Sequence, residues 1–273
     1  MTAQVLYDSV VLAGQRDGVT RLSAVADVPV DVLVPVDGLP AIERVLKALH
    51  ASVCMRPAVV VGPAPDVMSA SQPIRDVFDR YGATWIEPLG DPASSAIAGI
   101  DERQPPLLVT TGDHALLTSE VVDSFCAAAD AADFDVVVGL VPFAAVSEAY
   151  PESRRTVLKF ADGGLCGANL FFVRTAAGKR AFEFWCDLQH DRKRPHRMAR
   201  RIGLGFLIKY LAGRLVLDDA LATLSERAGC RVGAIRLDEP RAAVDVDSIE
   251  DWRLAERILR ETQSPGNEVK RTQ

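Results

Sequence analysis

Three aspartates are the strongest candidates for chemistry in this sequence. Asp113 follows the apolar run LLVTT and a glycine, so it lies just past the carboxyl end of a predicted strand. Asp245 and Asp247 alternate with Val244 and Val246, and on a strand they would share one face. Mg²⁺ binds one or two protein carboxylates together with waters and substrate phosphate oxygens. We therefore predict a Mg²⁺ site formed by Asp113 together with Asp245, Asp247 or both.

Each of these aspartates also has a structural interpretation. Asp113 could cap the helix predicted to begin near Ser119, although Thr118 is better placed to do so. The C-terminal pair could instead form the exposed polar face of an edge strand. Ser248 and Asp251, three residues apart, form a capping box for the last helix, so we assign Asp251 to helix initiation.

The first predicted strand, SVVLAG, ends in residues that could approach a phosphate closely. The strand end and the loop after it contain Leu12, Ala13, Gly14, Gln15, Arg16, Asp17 and Gly18. Successive backbone N–H groups at such a turn can form an anion nest, which Arg16 or Arg21 could reinforce. The segment matches neither G-x-G-x-x-G nor the Walker pattern, so a plain strand-to-loop turn is the alternative.

The middle of the chain combines cations with glycine turns, which suits a phosphorylated acceptor. The cations and the first turn are Arg154, Arg155, Lys159, Gly163 and Gly164. The turn could equally be an ordinary hairpin. Gly167 and Asn169 follow at the start of an apolar strand, and the Asn169 amide can both donate and accept hydrogen bonds.

A basic segment, HDRKRPHRMARR at residues 190–201, precedes the apolar stretch IGLGFLIKYLAGRLVL. That stretch is too short and too charged to span a bilayer. Residues 190–217 could contact an anionic membrane surface, bind an acidic partner, or pack as a helix in the core or at a homodimer interface. We do not expect nucleic-acid binding, because the basic patch is single and lacks interleaved aromatic residues.

Alternating strand-like and helix-like runs place these candidates in one α/β domain. Apolar strands such as PAVVVGP, PPLLVTTGD and DVVVGLVP alternate with amphipathic helices such as PAIERVLKALHAS. This pattern predicts a three-layer, mainly parallel sheet with helices on both faces. Ligands bind beyond the carboxyl ends of the strands in such sheets. We expect a single domain over residues 1–261 and a disordered tail over residues 262–273.

The composition is that of a globular protein. Of 273 residues, 48% are hydrophobic and 25% charged, with a formal net charge of -6. The five cysteines form no C-x-x-C pair, and no signal peptide is recognisable, so we expect a reduced, cytoplasmic protein.

The sequence resembles the MobA-like nucleotidyltransferases, which have a GT-A type Rossmann-like fold. The segments VVLAG, LVPVDGLPAIERVL, LLVTTGDHALL, GLCGANLFFV and VDVDSIEDW carry the resemblance in order. It implies transfer of a nucleoside monophosphate from CTP or GTP to a phosphorylated acceptor, with release of pyrophosphate. The implied site residues are Leu12, Ala13, Gly14, Gln15, Arg16 and Gly112 for the nucleotide, Gly167 and Asn169 for the acceptor, Asp113 with Asp245 or Asp247 for Mg²⁺, and Arg16, Asp113 and Lys159 for catalysis.

Two positions depart from the family pattern, and one of them is Gln15, which stands in the first loop where a second glycine is usual. In the family that the sequence resembles, the segment before LVPV typically carries a lysine that contacts the triphosphate. The aligned positions in this chain are Val30, Asp31 and Val32. Losing such a contact costs about 3 to 4 kcal/mol of transition-state stabilisation unless another cation, such as Arg16, replaces it. We therefore predict nucleotide binding with slow turnover. A non-catalytic nucleotide-binding protein and a GT-A glycosyltransferase are the alternatives.

Overall fold

The computed structural model describes residues 5–15, 18–191 and 195–263. Within them the strands are β1 (Asp8–Leu12), β2 (Pro35–Val36), β3 (Leu39–Pro40), β4 (Val59–Val61), β5 (Thr84–Ile86), β6 (Leu107–Thr111), β7 (Val136–Pro142), β8 (Leu158–Phe160), β9 (Gly163–Val173) and β10 (Val232–Arg236). The α-helices are α1 (Arg21–Val25), α2 (Ala41–Ala51), α3 (Pro65–Ala70), α4 (Gln72–Tyr81), α5 (Pro92–Asp101), α6 (Ser119–Ala131), α7 (Phe143–Ala149), α8 (Lys179–Asp191), α9 (Pro195–Ile202), α10 (Leu204–Leu211), α11 (Leu217–Ala228) and α12 (Ile249–Gln263).

The main sheet is mostly parallel, with the strand order β10-β7-β9-β6-β1-β4-β5. Strands β1, β4, β5 and β6 are parallel neighbours, and β7 and β10 form a second parallel pair. The long strand β9 runs antiparallel between β6 and β7, and β8 pairs with it as a hairpin. β9 therefore brings its first half to the edge of the sheet where β6 and β7 end.

Helices cover both faces because adjacent apolar strand residues point to opposite sides. On β1, Val11 packs into the core beneath α2, α4 and α6, whereas Val10 packs into the core beneath α5 and α8. This arrangement confirms the predicted three-layer, Rossmann-like α/β fold. Among the described residues, no helix is long and apolar enough to cross a membrane.

A third cluster supports the segment that carries the C-terminal aspartates. Val244 and Val246 are fully buried there, against residues of α1, β2 and α12. The prediction that residues 244–247 form a strand is wrong. The segment is extended, but the Val246 N–H donates to the Asp113 carbonyl (3.0 Å) and no strand ladder forms. The predicted alternation persists because the two valines anchor the segment from one side.

The predicted helix caps are present. The Thr118 hydroxyl accepts a hydrogen bond from the Val121 N–H at the start of α6 (3.4 Å). At the start of α12 the Ser248 hydroxyl accepts from the Asp251 N–H (3.1 Å) and donates to the Asp251 carboxylate (2.6 Å). The predicted tail begins at residue 262, whereas α12 continues to Gln263, and residues 264–273 lie outside the described residues.

Candidate functional site

The loops after β1 and β6 leave the sheet side by side. Leu12 pairs with Thr111 in the parallel register, and the Gly112 N–H donates to the Leu12 carbonyl (2.8 Å). A side chain at Gly112 would meet Val32 at 3.2 Å, tighter than ordinary packing allows. The structure thus brings predicted nucleotide-loop residues next to the turn that carries Asp113.

Gly62 is a residue of this edge that the sequence reasoning missed. It follows β4 with a φ of +99°, and a Cβ there would lie 2.7 Å from both the Ala13 carbonyl carbon and the Gly14 nitrogen. Only a residue without a side chain lets these two backbone segments approach so closely. Pro88, in the loop after β5, stands on the other side of Gly14, 3.3 Å from where its Cβ would be.

Side-chain hydrogen bonds close the first loop. The Gln15 side chain accepts from the Asp31 N–H (2.8 Å) and donates to the Gly18 carbonyl. The Thr20 hydroxyl donates to the Asp31 carboxylate. Asp31, at the position where the resemblance expects a lysine, therefore has a structural role in holding this loop. Arg16, the predicted phosphate-binding cation, lies outside the described residues.

Asp113 and Asp247 form no ion pair with any cation among the described residues. Desolvation raises the pKa of Asp113 to about 8, and the charges of Asp245 and Asp247 act in the same direction. Desolvation and the Asp245 charge also raise the pKa of Asp247, while a side-chain hydrogen bond with Asp113 and the Arg155 charge lower it. A pKa near 8 leaves the Asp113 carboxyl protonated at neutral pH.

Asp245 differs, because the chain itself neutralises it. The Arg155 guanidinium forms ion pairs with both Asp245 and Asp251, and only 7% of its side chain is exposed. The Asn169 amide donates to the second oxygen of Asp245 (3.1 Å). Asp251 thus does more than begin α12: it shares the buried Arg155 with Asp245.

A bulge in β9 aims Asn169 at this network. Val138 pairs with Phe171, but Leu140 pairs with Gly167. Three residues of β9 therefore lie opposite a single residue of β7, which is two more than a regular ladder has. Asn169 lies inside this bulge with a left-handed φ of +50°, a conformation that asparagine tolerates better than most residues. Gly167 is exposed, with open space where a Cβ would lie.

The cations predicted to bind acceptor phosphate do not act as one group. Arg155 is committed to the two aspartates, which removes it from the acceptor site because a buried, doubly paired guanidinium has no donor facing solvent. Arg154 is exposed, and Lys159 is exposed on β8 opposite Gly164. The turn predicted at Gly163 and Gly164 lies at Ala161 and Asp162, which form the two-residue loop between β8 and β9. Gly163 and Gly164 are the first residues of β9.

A second group of metal-binding residue types lies where α5 begins. Among the described residues, Asp91, Cys186 and His190 have ligand atoms within 4.8 Å of one another, whereas Asp113, Asp245 and Asp247 are not grouped at that distance. Asp91 already caps α5, accepting from the Ala93 and Ser94 N–H groups. Its carboxylate therefore has a sufficient structural role.

Part of the chain matches one family model, and solved structures match the chain along most of its length. Residues 32–158 match the family model of the MobA-like NTP transferase domain. Comparison with curated protein sequences finds no match. A structure described as a hypothetical transferase from Thermus thermophilus is 28% identical, with a TM-score of 0.74 over 91% of this chain and 100% of that one.

Two further structures share the fold at low identity. CMP:2-keto-3-deoxy-manno-octonic acid synthetase complexed with CTP is 12% identical, with a TM-score of 0.57 over 93% of this chain and 99% of that one. The 2-C-methyl-D-erythritol 4-phosphate cytidylyltransferase from Thermus thermophilus is 16% identical, with a TM-score of 0.51 over 92% of this chain and 99% of that one. The match of residues 32–158 to the model of the MobA-like NTP transferase domain confirms the resemblance seen in the sequence. The two further structures share the fold of this chain.

Proposed function

We propose that this chain transfers a nucleoside monophosphate from an NTP to a phosphorylated small-molecule acceptor, using Mg²⁺. The observation that carries the proposal is the pair Asp113 and Asp247 at the carboxyl edge of the sheet. Their raised pKa values show that ionising both carboxyl groups is costly, and no described cation forms an ion pair with either group. Carboxylates at a nucleotide-binding sheet edge are suited to receive a cation with the triphosphate.

The residues present fit a Mg²⁺ ion. A hard cation prefers carboxylate oxygens, and the Asp113 and Asp247 carboxyl groups are close enough to shift each other's pKa. Asp245 is less available as a direct ligand, since Arg155 and Asn169 bind its oxygens. We therefore assign Asp113 and Asp247 as the ligands and Asp245 as a neighbouring charge. When bound, Mg²⁺ would neutralise charge on the triphosphate.

The reaction is an in-line displacement at the α-phosphorus. An acceptor phosphate oxygen forms the new bond to the α-phosphorus, and the bond from that phosphorus to the α–β bridging oxygen breaks, so pyrophosphate leaves with the electron pair. Because this chemistry depends mainly on positioning and charge neutralisation, the protein needs no covalent step. Backbone N–H groups near Gly14 would face the triphosphate, while Gly167 leaves open space for the acceptor.

CTP is the preferred nucleotide in this proposal, with GTP as the alternative. One structural neighbour is described as complexed with CTP, and another as a cytidylyltransferase that acts on a sugar-alcohol phosphate. The first expectation is therefore a polyol or sugar phosphate acceptor.

The test is pyrophosphate release by the purified chain. The four NTPs are combined with a panel of sugar, polyol and amino-alcohol phosphates, with Mg²⁺ or with EDTA. We expect release with at least one pair, dependent on Mg²⁺, and a loss of about 10²- to 10³-fold in Asp113→Asn. Asp130→Asn, on α6 away from this edge, is the matched control. Release that persists in EDTA or in Asp113→Asn would refute the metal assignment.

Non-catalytic nucleotide binding is the second candidate, and Asp31 favours it. The carboxylate held by Thr20 stands where the resemblance expects a triphosphate-binding lysine. Nucleotide binding by equilibrium dialysis, without pyrophosphate release for any acceptor, would favour this candidate. In that case Asp31→Lys should leave turnover absent, whereas in a weakened enzyme it should raise turnover. No nucleotide binding at all would refute both candidates.

A further inference from the structure

The helix α10 has an apolar face that no part of the described chain covers. None of its residues is buried, and Leu204, Ile208 and Leu211 are 67%, 58% and 83% exposed. These residues are four and three positions apart, so they lie in one stripe on the helix surface. Solvent-exposed stripes of large aliphatic side chains mark interaction surfaces more often than scattered single residues do.

The chain around this stripe is strongly basic. The described residues 195–217 contain five Lys or Arg and no Asp or Glu, in a protein whose net charge is -6. Arg197, Arg200, Lys209 and Arg214 are exposed. Lys209 pairs with Asp219 (3.3 Å), whereas the Arg200 and Arg214 side chains form no ion pair with any described residue. Cations thus stand at both ends of the apolar stripe.

We propose that the stripe Leu204, Ile208 and Leu211, with Arg200 and Arg214, docks on the surface of an anionic phospholipid bilayer. Aliphatic side chains would enter the boundary between headgroups and acyl chains, and the guanidinium groups would bind lipid phosphates. An eight-residue helix is about 12 Å long, far too short to span the bilayer, so it lies in the interface.

The charge pattern selects a membrane over the other occupants. A symmetric dimer through this face would bring the Arg200 and Arg214 side chains of two copies together, and like charges across an interface oppose association. Single-stranded nucleic acid would call for aromatic stacking platforms, and the exposed stripe is aliphatic.

The surface is firmly joined to the acceptor side of the proposed site. The Tyr210 ring contacts the Phe160 ring of β8 with centroids 6.4 Å apart, and the Ala161 N–H donates to the Leu215 carbonyl (2.8 Å). The Leu217 N–H donates to the Asp162 carboxylate (3.0 Å). Docking would therefore hold the β8–β9 hairpin, and β9 with its Asn169 bulge, in a fixed relation to the bilayer.

The experiment is vesicle flotation with the full chain. Phosphatidylcholine vesicles with and without phosphatidylglycerol are compared at low and physiological salt. We expect binding only to the anionic vesicles, weakened by salt. The variant Leu204→Ser/Ile208→Ser/Leu211→Ser should lose binding at least tenfold. Arg200→Gln/Arg214→Gln should weaken partitioning about 30-fold, from about 1 kcal/mol for each charge removed.

Matched controls carry the same changes elsewhere. Val5→Ser/Val25→Ser/Val53→Ser removes three comparably exposed aliphatic side chains, and Lys47→Gln/Arg253→Gln removes two exposed cations. Both should bind vesicles as the wild type does, with unchanged circular dichroism in every variant.

Three outcomes would overturn the proposal: no binding to anionic vesicles at low salt, equal binding by the serine variant of α10, or a dimer in light scattering that this variant alone abolishes. The last would assign the face to a second copy of the chain. None of these outcomes depends on nucleotidyl transfer, so this proposal and the proposed function fail separately.

Discussion

The Asp245 side and the Asp113 side of the aspartate cluster differ in how their negative charge is balanced. On the Asp245 side the chain supplies its own cation and amide, Arg155 and Asn169. On the Asp113 side no described cation forms an ion pair with the carboxyl group, and the pKa of Asp113 rises to about 8. Placing aspartates together without a paired cation is costly, so the contrast separates a structural carboxylate from those arranged to receive a ligand.

Removing the internal cation should have the largest effect. Arg155→Met would leave two partly buried carboxylates, Asp245 and Asp251, without their partner, and we expect a loss of about 3 to 5 kcal/mol in the free energy of unfolding. Urea denaturation measures it. Arg260→Met removes an exposed arginine from an ion pair with Glu256 and should cost at most about 1 kcal/mol. Equal losses in the two variants would show that Arg155 is not the structural partner described.

The uncompensated side predicts an unusual dependence of stability on pH. The folded-state pKa of Asp113, about 8, lies above its ordinary value of 3.8. The stabilising contribution of Asp113 to the free energy of unfolding is therefore fully present below about pH 4 and is lost as the pH rises towards 8. In EDTA the wild type should lose stability across this window, with a slope of at most about 1.4 kcal/mol per pH unit.

The control for this titration is Asp113→Asn, which should flatten the slope and raise the melting temperature at about pH 8 in EDTA. Adding Mg²⁺ should raise the melting temperature of the wild type and not that of the variant. Identical pH profiles for the two proteins would mean that Asp113 titrates normally, and the contrast between the two sides would disappear.

Substitutions of Asn169 test the Asp245 side of the aspartate cluster, where Arg155 and Asn169 bind the carboxylate. Asn169→Ala removes the hydrogen bond to a charged group and puts a less tolerant residue at a φ of +50°, for a combined loss of about 2 to 3 kcal/mol. Asn169→Gly removes the same amide but accepts the backbone conformation, so it should lose less. Thermal unfolding of both variants separates the two contributions. A larger loss for glycine than for alanine would contradict the role given to the bulge.

Asp31 gives the smallest effect. Asp31→Asn keeps an acceptor for the Thr20 hydroxyl, so we expect a stability change of about 0.5 to 1 kcal/mol at most. Nucleotide affinity should rise modestly, because a negative charge near the triphosphate is removed. Titration calorimetry with CTP measures it, with Asp27→Asn as the control for another aspartate in the same segment. Unchanged affinity would place Asp31 away from the phosphates.

The sequence by itself determined the fold class and the resemblance to one family. Period-two and helical patterns, with turn residues between them, depend on local chain geometry, so they predicted the three-layer sheet, the caps at Thr118 and Ser248, and an edge carrying Gly14 and Asp113. They also indicated the alternation of Val244 to Asp247, although they predicted a strand where the structure has none.

Only the tertiary structure decided which carboxylates have a partner. Arg155 precedes Asp245 by ninety positions along the chain and meets it only because the β9 side of the sheet and the start of α12 come together. Gly62 likewise matters through a 2.7 Å approach to the Ala13 and Gly14 backbone, which no local pattern encodes. Pairing between distant residues depends on the packed arrangement of elements, and the same packing left the face of α10 uncovered.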